Sequence, residues 1–134
     1  MKYGTIVENK LRIIEEKLNE IRSWKIDSFD QLKKSSLLQN AVERALQVAV
    51  EAMIDTSERI LSFHHHPPVN SAIQNMEAIE KLGIINDATA YQELIRFRNF
   101  IVHRYERIDL EIVYSLIRSG LGLFERYVDE IRRT

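Results

Sequence analysis

The sequence predicts an all-α fold, a bundle of four to five helices, on three observations. Apolar residues recur at spacings of three and four along most of the chain, which is typical of helices with one buried face. The 134 residues include only four glycines and two adjacent prolines, so long stretches contain no helix breaker. The contents of hydrophobic residues (45%) and charged residues (29%) are those of a folded protein. This length predicts a single domain spanning residues 1–134.

The first two long helices follow from their apolar patterns. A helix from about residue 5 to 24 is predicted by an apolar stripe: Val7, Leu11, Ile14, Leu18 and Ile21. A connection over 25–35, with room for one short helical turn, leads to the longest helical pattern, 36–63. This pattern has a narrow face of small side chains: Ala41, Ala45, Val48, Ala52 and Thr56. Small side chains let a second helix approach closely, so this helix is predicted to lie centrally in the bundle.

Capping residues delimit the later helices. Ser71 is suited to begin a helix of about 72–82, and Gly83 is suited to end it. Asn86 or Asp87 can begin the next helix, roughly 87–103. Asp109 can begin the last one, roughly 110–132.

The composition also excludes several classes of function. Cysteine is absent, which excludes disulfides and thiolate metal sites and fits a reducing cytoplasm. No apolar run reaches the roughly eighteen residues that a membrane-spanning helix needs, so no membrane contact is expected. The net charge of −1 is unlike that of proteins that coat nucleic acid, so any contact with nucleic acid should be local.

The helix predicted over 87–103 carries the residues that could perform chemistry. At about 100° per residue, Arg98 falls between two apolar groups on the face expected to be buried. An unpaired guanidinium there is costly. Asn99 and His103 lie one turn apart and can touch, and residues 96–107 hold four arginines against one glutamate. This local positive surplus suits a phosphate-containing ligand, although the spacing alone favours an ordinary ion pair and a surface histidine.

A second group of candidates is the run His64, His65 and His66 before two prolines. These residues resemble a metal cluster by composition only, because consecutive side chains near a helix end point in different directions. A plain loop, with no metal, is expected there.

The stretch Arg98-Asn99-Phe100-Ile101-Val102-His103-Arg104-Tyr105 resembles the signature of the HEPN superfamily. The tyrosine two residues after the histidine is similar to the HepT branch, which comprises toxins paired with minimal nucleotidyltransferase (MNT) antitoxins. The likeness extends to Arg44-Ala45-Leu46-Gln47 in the central helix and to Leu82-Gly83-Ile84-Ile85 before the motif. It covers about residues 5–132.

This resemblance implies an endoribonuclease toxin of a type VII-like toxin–antitoxin system in a prokaryotic cytoplasm. It would use no metal or cofactor and would cleave RNA through attack of the ribose 2′-oxygen on phosphorus. The catalytic residues would be Arg98, which binds the scissile phosphate, and His103, which acts as general base or acid. Three further residues would bind the substrate or support the catalytic pair: Asn99, Arg96 and Arg104. Tyr105 would receive AMP from the MNT antitoxin, and the added charge and bulk would block RNA.

The resemblance also implies a homodimer through the motif helices. Arg98 and His103 point about 140° apart on one helix, so one copy alone forms an awkward site. Pairing two protomers would place both motifs in one cleft, and the face that carries Arg98 would then meet the other subunit.

Two alternatives stay open on the sequence. The chain could be a non-catalytic HEPN partner of a nucleotidyltransferase that binds nucleotide or protein. It could also be a generic helical dimerisation module in which Arg98 pairs across the interface with Glu51 or Asp55. Tyr105 could instead stack on RNA or anchor the following loop.

Overall fold

The structure, a computed structural model, describes residues 2–102 and 109–134. In these ranges it contains helices and connecting turns but no strand, which confirms the all-α prediction. The helices are α1 (Thr5–Ser23), α2 (Phe29–Lys33), α3 (Ser36–Phe63), α4 (Ala72–Lys81), α5 (Gln92–Val102), α6 (Leu110–Ser115) and α7 (Leu121–Arg132). A 3-10 turn, Ala88–Tyr91, precedes α5, and a π turn, Leu116–Gly120, joins α6 to α7. None of the described helices is both long enough and apolar enough to cross a membrane.

Polar caps set the helix boundaries where the sequence predicts them. The Ser71 side chain accepts a hydrogen bond from the backbone of Gln74 and begins α4. Gly83 follows α4 with φ +77°, a left-handed conformation that favours glycine. Of the two candidates before the motif helix, Asp87 is a cap, since its side chain accepts from the backbone of Thr89. It caps the 3-10 turn, so α5 itself begins at Gln92 and not near residue 87 as predicted. Asp109 caps α6 in the same way.

Helix α3 lies at the centre of the bundle, as its small side chains predict. It packs against α1, α2, α4, α5 and α6, and buried residues occur on every turn from Val42 to Leu61. Helix α1 packs along it and buries its predicted stripe of five apolar residues. The short helix α2 corresponds to the helical turn that was considered possible within the connection 25–35.

The last predicted helix, 110–132, differs from expectation by the π turn. A Cβ atom on Gly120 would lie 3.0 Å from Cδ2 of Leu116 and 3.6 Å from Cδ2 of Leu94 on α5. Glycine therefore leaves room for the Leu116 side chain within this turn, while the distance to Leu94 is an ordinary packing contact. A π turn adds a residue without breaking the helix, so regular spacing of apolar residues does not predict it.

A buried carboxylate anchors the start of the motif helix. Glu130 on α7 is 7% exposed. It accepts hydrogen bonds from the Tyr91 hydroxyl (2.9 Å), the Asn86 backbone (3.0 Å) and Arg126 Nε (3.0 Å). Because each of these donors satisfies the buried carboxylate, the network holds the turn before α5 against α7.

Candidate active site

The motif helix α5 presents its described side chains to three environments. Leu94, Ile95 and Phe97 are buried in the core, and Arg98 is half-buried. Phe100 is 44% exposed. His103, Arg104 and Tyr105 lie outside the described residues, so their predicted roles stay predictions.

Arg98 is held by two hydrogen bonds within the chain. Its Nε donates to Glu51 Oε1 on α3 at 3.0 Å, and its Nη1 donates to Asn99 Oδ1 at 3.1 Å. A guanidinium has five N–H donors in a fixed plane. Nη2 and the second N–H of Nη1 therefore have no partner among the described residues. The side chain is 31% exposed, so these donors form an oriented fork that an anion could reach.

The partner of Arg98 explains how a guanidinium is accommodated beside the core. From the sequence, Glu51 was only a possible partner across a dimer interface, whereas the structure places it on α3 of the same chain. The position of Arg98 therefore does not by itself require a second protomer. No local spacing could have revealed this pair, because its members lie 47 residues apart.

Asn99 and Arg96 differ in their relation to Arg98. The Asn99 oxygen accepts from Arg98, so in the described part of the site this amide orients the guanidinium. Arg96 is exposed, and its Nη2 lies 3.4 Å from Gln92 Oε1. At about 100° per residue it points away from Arg98, so the two arginines are not brought together.

A groove of about 500 Å³ lies beside Arg98. It runs between the second half of α3 and the first half of α4, and the segment 66–71 forms part of its wall. Arg98 belongs to its lining, together with Ile54, Glu58, Leu61, Ser62, His66, Pro67, Pro68, Val69, Asn70, Ser71, Ala72 and Asn75. The groove could not be predicted from the sequence, because its walls come from segments separated along the chain.

The three consecutive histidines have separate surroundings. His64 Nε2 lies 3.3 Å from the Tyr3 hydroxyl, whereas His66 Nδ1 donates to the Pro67 carbonyl at 2.7 Å. His65 has a backbone φ of +56°. Among the residues that the structure describes, no cluster of three or more side chains is arranged to hold a metal ion. This segment is a loop, as predicted.

The acidic residues of α3 near the groove differ in how they are neutralised. Glu51 pairs with Arg98, and Asp55 Oδ2 lies 3.2 Å from Lys10 Nζ on α1. Glu58, which lines the groove, is exposed and has no ion pair in the described part of the chain. The lining of the groove therefore includes both the Glu58 carboxylate and Arg98.

These features define a class of protein: an all-α bundle with an oriented guanidinium on a HEPN-like motif helix, next to a groove. Residues 14–131 match the family model described as Ribonuclease HepT-like. The chain belongs to this HepT-like ribonuclease family, which confirms the resemblance inferred from the motif.

Similar proteins agree with this membership. The tRNA nuclease HepT of Aphanizomenon flos-aquae is 30% identical over 131 residues, covering 94% of this chain and 87% of the relative. The mRNA nuclease HepT of Shewanella oneidensis is 26% identical over 129 residues, covering 95% and 96%. The solved structure of a tri-AMPylated Shewanella oneidensis HEPN toxin in complex with MNT antitoxin superposes with a TM-score of 0.86, at 25% identity, covering 98% of this chain and 99% of the toxin.

Proposed function

We propose that this protein is the ribonuclease toxin of a HEPN/MNT toxin–antitoxin pair in a prokaryotic cytoplasm. Family membership and two relatives described as RNA nucleases support this function. The observation that carries it is the Arg98 guanidinium, oriented by Glu51 and Asn99 with further N–H donors left open. This arrangement suits a phosphate of RNA, because parallel N–H donors can bind two of its oxygens.

Arg98 would bind the non-bridging oxygens of the scissile phosphate. As the 2′-oxygen attacks phosphorus, negative charge grows on those oxygens, and a preoriented guanidinium stabilises it without reorganisation. The two intramolecular hydrogen bonds of Arg98 fix the orientation of the guanidinium plane, which limits the conformational entropy lost when a phosphate binds.

His103 would carry the protons of the reaction. A neutral imidazole accepts the proton of the 2′-hydroxyl, and a protonated one supplies a proton to the departing 5′-oxygen. The bond from phosphorus to the 2′-oxygen forms as the bond to the 5′-oxygen breaks, which leaves a 2′,3′-cyclic phosphate and a 5′-hydroxyl. Since protein groups supply every proton and charge in this scheme, the proposed reaction is independent of metal. Arg96 and Arg104 would add positive charge along the RNA backbone.

The complete site would be formed by a homodimer. Arg98 and His103 diverge by about 140° on one helix, so one cleft can contain both groups when two motif helices face each other. Phe100, exposed on this helix, supplies an apolar contact for such an interface.

An MNT-type nucleotidyltransferase would be the antitoxin. The Shewanella oneidensis toxin that superposes on this chain is tri-AMPylated and in complex with MNT antitoxin. We propose Tyr105 as the AMP acceptor here. AMP groups beside the phosphate site would exclude RNA by repulsion and bulk.

Induced expression in a bacterial host tests the nuclease. The wild-type protein should arrest growth of the host and fragment its RNA. RNA cleavage should also occur in cell lysate with EDTA present. Arg98→Ala and His103→Ala should do neither at equal soluble levels, while the matched surface variant Arg59→Ala should behave as wild type. Intact RNA with a folded wild-type protein would contradict the proposal and favour a non-catalytic partner of a nucleotidyltransferase.

A further inference from the structure

Asn75 on α4 is a buried polar residue with an unsatisfied group. The residue is 3% exposed, and its Oδ1 has no hydrogen-bond partner. In the described part of the chain, no other buried side-chain nitrogen or oxygen lacks one. Native proteins rarely leave such a group unpaired, because its desolvation is not compensated. Asn75 also lines the groove beside Arg98, so a ligand in the groove could give this carboxamide a partner if the side chain turns toward it.

The lining of the groove fits a flat heterocycle with polar edges. Leu61, Pro67 and Val69 supply apolar surface, while Glu58 and Asn75 supply a carboxylate and a carboxamide. Pocket volumes of roughly 300–1,000 Å³ are typical of small-ligand sites, and this groove has about 500 Å³. Since the Glu58 carboxylate would repel a phosphate, a neutral base edge is the better match for this part of the groove.

His66 adds a further polar group with a defined orientation. The Pro67 carbonyl can only accept, so His66 Nδ1 carries the proton in the 2.7 Å contact between them. In the neutral ring, Nε2 is then an acceptor. The groove is therefore lined by a carboxylate at Glu58, an imidazole at His66 and an amide at Asn75.

We propose that this groove binds an unpaired RNA base next to the phosphate held by Arg98, and that it prefers guanine. This inference rests on the proposed function, because Arg98 lines the groove and is also the proposed phosphate ligand. The adjacent N1–H and exocyclic N–H of guanine can both donate to the Glu58 carboxylate, whereas uracil offers a single N–H donor. Unpaired bases are the usual targets of sequence-specific RNA recognition, through contacts to their edges.

Binding of uncleavable RNA tests the groove separately from catalysis. The probe is a set of short fluorescent oligonucleotides with 2′-O-methyl riboses, identical except for one G, A, C or U. Wild type should bind the G-containing oligonucleotide about tenfold more tightly than the U-containing one. Glu58→Gln and Asn75→Leu should each weaken binding of the G-containing oligonucleotide about tenfold and abolish the preference.

The control variant is Glu77→Gln, an exposed α4 residue outside the groove lining. A general charge effect predicts that Glu58→Gln and Glu77→Gln both bind RNA slightly more tightly. Base recognition predicts that Glu58→Gln weakens RNA binding whereas Glu77→Gln does not. Asn75→Leu should retain or raise the melting temperature of the protein, since it removes an unpaired buried group. If Asn75→Leu fails to fold, Glu58→Gln still tests the proposal.

Each remaining outcome decides between the two proposals. Unchanged preference in Glu58→Gln and Asn75→Leu, with cleavage of an unmodified RNA by wild type, would contradict the base site alone. If both variants lose the preference for G but the wild type does not cleave RNA, the base site would be supported and the nuclease function contradicted. Competition for the groove by free AMP or GMP, with no binding of the oligonucleotides, would overturn the base site in favour of a mononucleotide site.

Discussion

Arg98 Nε on the motif helix lies 3.0 Å from Glu51 Oε1 on the central helix. This ion pair joins α5 to α3 and, together with Asn99, sets the plane of the guanidinium. Both members are about one-third exposed, with side-chain exposures of 31% and 38%, so the surrounding water screens the attraction and its contribution to stability is small. Its effect is expected in the geometry of Arg98.

Removing Glu51 should therefore lower activity without unfolding the protein. In Glu51→Ala the guanidinium loses its contact to α3, and a misplaced catalytic group reduces the rate by up to about a hundredfold. Glu51→Gln keeps an acceptor oxygen and should lose less. Steady-state cleavage of a fluorogenic RNA measures kcat and KM for both. Asp55→Ala, one turn along α3, removes an ion pair to Lys10 instead and is the control. Equal activity of Glu51→Ala and Asp55→Ala would refute a positioning role for Glu51.

Arg98→Lys should be almost as inactive as Arg98→Ala, although it keeps the positive charge. A lysine has no planar fork, so it cannot bind Glu51, Asn99 and two phosphate oxygens together. The measurement is cleavage rate combined with the affinity for uncleavable 2′-O-methyl RNA. We expect Arg98→Lys to retain more binding than Arg98→Ala but little more cleavage. Wild-type rates in Arg98→Lys would show that charge alone is sufficient.

Alanine substitutions at two glycines near the π turn should have opposite effects. A Cβ on Gly120 would lie 3.0 Å from Leu116 Cδ2, whereas none of the surrounding atoms lies within 4 Å of one on Gly122. Gly120→Ala should lower the free energy of unfolding by about 1–3 kcal/mol through overpacking. Gly122→Ala should raise it by about 0.5–1 kcal/mol through helix propensity. Urea denaturation measures both, and a stable Gly120→Ala would show that the turn relaxes.

Tyr127 should make stability depend on pH in the alkaline range. Burial raises the pKa of Tyr127 above its ordinary value of 10.0. A group whose folded pKa is raised contributes stability that is present below pH 10 and lost as the pH increases further, by about 1.4 kcal/mol per pH unit. Burial and the Glu130 carboxylate raise the pKa of Tyr91 in the same direction. The free energy of unfolding should thus be flat from pH 7 to about 9 and should decrease above about 10.

Tyr127→Phe separates this effect from general alkaline unfolding. The Tyr127 hydroxyl donates to the Met53 carbonyl at 3.1 Å. The variant should lose about 1–3 kcal/mol at neutral pH and show a shallower alkaline decrease. Tyr114→Phe, whose hydroxyl is exposed and bonds to the Asp27 backbone at 3.3 Å, should change little. Parallel alkaline curves for wild type and Tyr127→Phe would contradict the assignment.

Much of the fold was predictable because local rules determine it. Helix α1 follows from a stripe of apolar residues at helical spacing, and α4 begins at Ser71 and ends before Gly83 as their backbone preferences require. The central position of α3 follows from its small side chains. The π turn at Leu116–Gly120 was not predictable, because it adds a residue inside a continuous helix and the spacing of apolar residues does not specify it.

The sequence by itself determined the helices, their caps, the motif and the family, since each of these depends on residues close together along the chain. Only the tertiary structure decided that Arg98 pairs with Glu51 of the same chain, and that Asn75 lies unpaired in a groove next to it. The physical reason is that both features depend on how α3, α4 and α5 pack against one another across the bundle. Helical periodicity specifies which face of a helix is buried but not which residue of another helix it meets.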